Sequence, residues 1–124
     1  MRAAARTLDF TQPVAVMMLD ILGNVADSDQ PGPAQIVDRF SSAIPSGSYL
    51  VLNDSVVTPE TVDAVQTARR GGADYHLRTP EQLAGFLDGL ETVEPGVVPT
   101  PLWRPEPGSR PAALNVYCGV ARRP

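Results

Sequence analysis

Pro13-Val14-Ala15-Val16-Met17-Met18-Leu19-Asp20-Ile21-Leu22 is a nearly unbroken apolar run that follows a proline. That is the pattern of a strand buried on both faces, as in a parallel sheet. Ser48-Tyr49-Leu50-Val51-Leu52-Asn53-Asp54 repeats it and stops abruptly in polar residues, which predicts a second parallel strand. Between the two, Pro31-Gly32-Pro33 opens a stretch with Ile36, Val37, Phe40 and Ile44 at helical spacing, closed by Pro45-Ser46-Gly47. Prolines are tolerated at the start of a helix and just after its end, so this is an amphipathic helix. Strand, helix, strand is the crossover by which parallel strands are joined.

Outward from this unit, Thr58-Pro59-Glu60 starts a second helix, with Thr58 as N-cap, Pro59 in the first helical position, and Val62, Val65 and Ala68 on one face until Gly71-Gly72. Thr79-Pro80-Glu81-Gln82 is a capping box followed by Leu83, Phe86, Leu87 and Leu90 at helical spacing, with Gly89 as the stop. Residues alternate from Leu90 to Pro95, and Leu114, Val116, Cys118 and Val120 alternate with Asn115, Tyr117, Gly119 and Ala121. These predict half-buried strands, with the first set of the second run inward. The connection between them carries Pro99, Pro101, Pro105, Pro107 and Pro111. It is therefore expected to be stiff, extended and outside any ladder. The resulting fold class is α/β, with two parallel strands, three helices and a terminal antiparallel β-hairpin.

The 124 residues fit one domain. Ten basic residues, all arginine, against fourteen acidic ones give a net charge of −4. Such a chain lacks the basic footprint of a nucleic-acid binder. Its apolar runs are too short to span a bilayer, and one cysteine with one histidine makes neither an internal disulfide nor a structural zinc site. A cytoplasmic protein without a metal site or a membrane partner is expected.

Ligands of open α/β sheets collect outside the carboxyl ends of the parallel strands. Asp20, Asn24, Asn53 and Asp54 follow the two buried runs and are the candidates by position; each also suits a solvated strand end or turn. His76, the only histidine, is either a functional base or a loop residue packed beside Tyr75. Cys118 sits where a small buried hydrophobe fits. Asp27-Ser28-Asp29 lacks the glycine and glutamate of a calcium loop. No glycine-rich phosphate cradle, Ser/His/Asp order or HExxH motif occurs.

Several segments in one order resemble a known family. They are the run from Asp9 to Leu19, Ile44-Pro45-Ser46-Gly47-Ser48-Tyr49-Leu50-Val51-Leu52, the stretch Leu77-Arg78-Thr79-Pro80-Glu81-Gln82-Leu83 through Glu91, Val93-Glu94-Pro95-Gly96-Val97-Val98, Trp103-Arg104-Pro105 and Gly119-Val120-Ala121-Arg122. Together they are similar to the second half of the S-adenosylmethionine-dependent methyltransferases common in actinobacteria, which have a Rossmann-like seven-stranded sheet. The resemblance implies that the two predicted parallel strands are strands 4 and 5 of that sheet and the hairpin strands 6 and 7. Residues 1–124 would then be a single partial domain without the first, cofactor-binding half. That half would carry a glycine-rich turn after strand 1 and an acidic residue after strand 2, and neither is found in this sequence.

The same resemblance implies S-adenosylmethionine as cofactor, with Leu19 and Asp20 on its side of the pocket and Asn53, Asp54 and His76 on the side of the methyl acceptor. Relatives often carry a histidine shortly after strand 4, where this chain has Gly23-Asn24. Without a first half, the strand at Val14 to Leu19 becomes an apolar edge with unpaired backbone groups. The partner expected there is a polypeptide carrying the first half or a second copy of this chain, and the chain alone is expected to be marginally stable. The competing expectations are a non-catalytic interaction module and a decaying gene fragment.

Overall fold

The computed structural model describes residues 2–124. The chain runs through β1 (Ala15–Leu19), α1 (Pro33–Ala43), β2 (Tyr49–Ser55), α2 (Pro59–Arg70), α3 (Pro80–Gly85), β3 (Glu91–Thr92), β4 (Val98–Pro99) and β5 (Val116–Arg122). β1 lies parallel to β2, with Ala15 opposite Tyr49 and Leu19 opposite Asn53. β5 is antiparallel to the whole of β2, and the short strands β3 and β4 both pair antiparallel with the far side of β5. The sheet order is β1-β2-β5-β3, with β4 beside β5, so β1 is an edge strand among the described residues. The α/β class, the parallel pair, the three helices and the closing antiparallel arrangement all agree with the sequence.

The helix starts follow from local chemistry. Thr58 and Thr79 cap α2 and α3 by accepting from the amides of Thr61 and Gln82, and each helix has proline in its first turn. α1 begins at Pro33, where the Gln35 side chain accepts from the Gly32 amide at 2.9 Å. α3 ends earlier than its apolar spacing predicts. After Gly85 the chain tightens into successive turns, Leu87 to Ala84 and Leu90 to Leu87, that still deliver Leu87 to the core before Gly89 turns the chain at φ 84°.

One face of the sheet carries the core. Val16 and Met18 of β1, Leu50 and Leu52 of β2 and Ala121 of β5 pack against Val37 and Phe40 of α1 and Leu83 and Leu87 at α3. At β1 the opposite face is open, and Met17 and Leu19 are 60% and 51% exposed. The expected burial of the first strand on both faces is therefore corrected, because the core helices contact one face only.

Three further corrections concern the last third of the chain. The predicted strand from Leu90 narrows to Glu91–Thr92, since the Glu94-Pro95-Gly96 turn interrupts it, although the Val93 amide still reaches Val120 at 2.8 Å. The proline-rich connection does join the ladder, at Val98 and Pro99 opposite Cys118 and Tyr117. Pro99 is tolerated there on the outermost strand of the sheet. Leu114 lies before β5 and is exposed.

The inward side of β5 is also the other set of residues. Gly119 and Ala121 face the helices, and Cys118, itself buried, faces the other side of the sheet with its pairing partner Asn53. Small residues are required inward, because a Cβ on Gly119 would lie 2.8 Å from Val97 Cγ2 and 3.1 Å from Leu87 Cδ1.

Candidate functional site

β1 and β2 end side by side, and the polar residues after them are drawn together by a residue from far along the chain. The Asp20 amide extends the ladder by donating to the Asn53 carbonyl at 2.8 Å. The backbone of Asp20 then turns to φ 60°, a conformation that aspartate tolerates better than most residues. This turn carries the chain into the 3-10 turn Leu22–Asn24.

The Tyr75 hydroxyl lies between the two strand ends, 2.6 Å from Asp20 Oδ1 and 2.8 Å from Asp54 Oδ1. It also accepts from the Ser55 amide at 3.1 Å. Asp54 is 2% exposed. Its Oδ1 receives the Gly23 amide at 3.1 Å, and its Oδ2 has no partner among the described residues. Burial pushes the Asp54 carboxyl above the ordinary aspartate range, against the bond from the Gly23 amide. Burial and the neighbouring carboxylates likewise push the Tyr75 phenol up, so it keeps its proton.

Gly23 is fixed by this arrangement. A Cβ there would fall 2.0 Å from the Tyr75 ring, and the Gly23 carbonyl accepts from the His76 amide at 2.7 Å. The Tyr75 ring thus fills the space that a side chain at position 23 would need.

Below the loop, Arg78 is 3% exposed. It donates to the carbonyls of Leu22 at 2.8 Å and Val25 at 2.6 Å, pairs with Asp27 at 3.0 Å and lies 5.4 Å from the Phe86 ring centroid. The Arg78 carbonyl takes the Val57 amide, which ties the same residue to the end of β2. One buried arginine therefore locks the loop after β1 to the loop after β2, and those two loops present the polar cluster.

The candidates read from the sequence separate into two groups. Asp20 and Asp54 meet through Tyr75. Asn53 points to the other side of the sheet, where its Nδ2 donates to Thr100 Oγ1 at 3.0 Å. Leu19 lies exposed on that open side. His76 is held by its backbone to Gly23, while its ring lies near Asp74, with Nε2 to Oδ2 at 3.6 Å. Asn24 donates to the Asp20 carbonyl and steadies the turn. A cleft of about 330 Å³ opens between α2 and the 75–78 segment, lined by Val62, Val65, Arg69, His76, Arg78 and Gln82. Tyr75 and Arg78, which organise the cluster, were not among the residues singled out for a role.

The sequence model of the S-adenosyl methyltransferase family matches residues 1–124. The chain belongs to the S-adenosyl methyltransferase family. Two solved structures share both fold and sequence with this chain. One is a protein of Thermobifida fusca YX, provisionally described as a methyltransferase, with 29% identity over 98% of this chain and 47% of that one, and a TM-score of 0.83. The other is a DUF574-family protein of Streptomyces avermitilis MA-4680, with 33% identity over 97% of this chain and 48% of that one, and a TM-score of 0.84. A family 2 O-methyltransferase of Planctomyces limnophilus DSM 3776, solved with apigenin, shares the fold at 16% identity and a TM-score of 0.61, over 94% of this chain and 33% of that one. A search of curated proteins gives no match. The chain thus spans about half the length of the two structures it resembles in sequence. Among the described residues no helix is long and apolar enough to cross a membrane.

Proposed function

We propose that this chain forms the acceptor side of an S-adenosylmethionine-dependent methyl-transfer domain, working in the cytoplasm with polypeptide that completes its sheet. The observation that carries the reading is the meeting of Asp20 and Asp54 at Tyr75, at the carboxyl ends of neighbouring parallel strands, where open α/β sheets bind their ligands. In this reading Leu19 and Asp20 border the cofactor. Asn53 and His76 border the acceptor, and Asp54 acts on it only through Tyr75, because it is buried.

The residues present fit one wall of a cofactor site and not its cradle. The exposed Leu19 side chain and the Asp20 turn supply an apolar surface and a carboxylate, but no glycine-rich turn follows any strand of this sequence. When bound, S-adenosylmethionine would supply the methyl group from its sulfonium. This chain's own part is to shape the acceptor side and to hold Asp20 at the strand end.

The occupant proposed for the outer edge of β1 and the adjoining open face is polypeptide equivalent to the part of the Streptomyces avermitilis protein that this chain does not span. Two features support it. β1 has no partner on that edge among the described residues, and Met17, Leu19 and Tyr49 form an exposed apolar strip next to it. The same strip favours a second reading, a non-catalytic interaction module that binds through its edge strand.

Calorimetric titration with S-adenosylhomocysteine tests the proposal, on the chain alone and on the chain mixed with that complementing segment. Saturable binding only in the mixture is expected. Saturable binding by the chain alone would contradict the need for a completing segment, and absence of binding in both would favour the interaction module.

A further inference from the structure

The contacts around the Tyr75 hydroxyl restrict where its protons can be. A phenol has one proton and two lone pairs. The Ser55 amide donates into this oxygen at 3.1 Å and uses one lone pair. Asp20 Oδ1 at 2.6 Å and Asp54 Oδ1 at 2.8 Å share what is left. The phenol proton can lie along only one of these contacts. Along the other, either the carboxyl group brings a proton of its own or two oxygens face each other with none between them.

Burial decides which carboxyl group brings it. Asp20 is exposed, whereas Asp54 is buried with Oδ2 lacking any partner among the described residues. An ionised Asp54 would keep an unpartnered anionic oxygen in the interior, which costs far more than an unpartnered carbonyl oxygen.

We propose that Asp54 is a carboxylic acid that donates to the Tyr75 oxygen, and that Tyr75 in turn donates to Asp20. Tyr75 is then a positioning residue: it fixes one oxygen of the Asp20 carboxylate and leaves the other free at the strand end for a bound molecule. The role at the strand end rests on the proposed function, but the direction of the two hydrogen bonds does not.

The groups facing Asp54 act in both senses, and burial outweighs those that oppose its protonation. Asp20, from the end of β1, works with burial to keep the proton on Asp54. Arg78, from the segment before α3, opposes them, but its guanidinium is engaged by Leu22, Val25 and Asp27. The Gly23 amide also opposes them, through Oδ1 only, and the His76 ring is turned to Asp74.

Carboxyl ¹³C titration by NMR on the full chain, wild type against Tyr75→Phe, reads the direction. Asp54 is expected to titrate at lower pH in the variant, having lost the acceptor of its proton. A shift of Asp54 to higher pH, or no shift, would overturn the proposal. Should Tyr75→Phe fail to fold, melting temperature against pH for wild type and Asp54→Asn gives an independent reading. A carboxyl group whose pKa is raised by folding contributes stability that is complete below its unfolded pKa and lost as pH rises through the folded one. The wild type is therefore expected to lose melting temperature across that window and Asp54→Asn not to; coincident profiles would overturn the proposal. Neither measurement uses the cofactor, so failure here is distinguishable from failure of S-adenosylhomocysteine to bind.

Discussion

The two faces of β1 are built from the same kind of residue and have opposite fates. Val16 and Met18 turn toward α1 and α3 and join the core, while Met17 and Leu19, one step along the same strand, stand in the open. Strand alternation makes this split unavoidable once helices cover one face only. An apolar run therefore reports surface that needs covering, and not whether its own chain does the covering. The contrast extends to function, because the open face and free edge of β1 lie beside the strand end where Asp20 and Tyr75 meet.

Substitutions can break or sharpen this contrast. The largest effect is expected on the covered face: Leu52→Ala should cost about 2–5 kcal/mol by transfer loss and cavity formation, read from the denaturant midpoint. Arg78→Leu should cost about 2–4 kcal/mol, since it leaves the Leu22 and Val25 carbonyls without a donor in the interior. It should also loosen the loop after β1, visible as faster amide exchange at Gly23. Gly119→Val should cost about 1–3 kcal/mol by overpacking against Val97 and Leu87. The neighbouring Cys118→Ala, on the other face, should cost less. Thr79→Ala, which removes the cap of α3, should cost about 1 kcal/mol. The smallest change in stability is expected for Met17→Ser, within about 0.5 kcal/mol, together with reduced self-association in sedimentation. A Met17→Ser cost as large as that of Leu52→Ala would mean that the open face is not open in solution.

Much of the fold was legible because its signals are local. Proline after threonine with a reciprocating side chain three residues on marks a helix start whatever the tertiary setting, and α2 and α3 begin there. β1 and β2 were legible from their apolar runs and polar ends. The inward side of β5 was misread because its inward residues are small, Gly119 and Ala121, for a reason that lies in Leu87 and Val97 on other segments. The site was half legible. Asp20 and Asp54 were found from their position after strands, but Tyr75 lies 55 and 21 residues from them, and nothing in its local sequence marks it. Arg78 precedes a capping box and reads as a surface residue until the loop after β1 folds over it.

The most direct test of the account is amide hydrogen exchange along β1. The Tyr49 amide bonds to the Val14 carbonyl and the Asp20 amide to the Asn53 carbonyl, so the even-numbered residues of the strand face β2, and the amides of Met17 and Leu19 point to the outer edge. In the isolated monomer those two amides are expected to exchange freely while Met18 and Leu52 are protected, and they should gain protection when the complementing segment binds. Protection of Met17 and Leu19 in a monodisperse monomer would contradict the account, because the edge would then be closed by the chain itself.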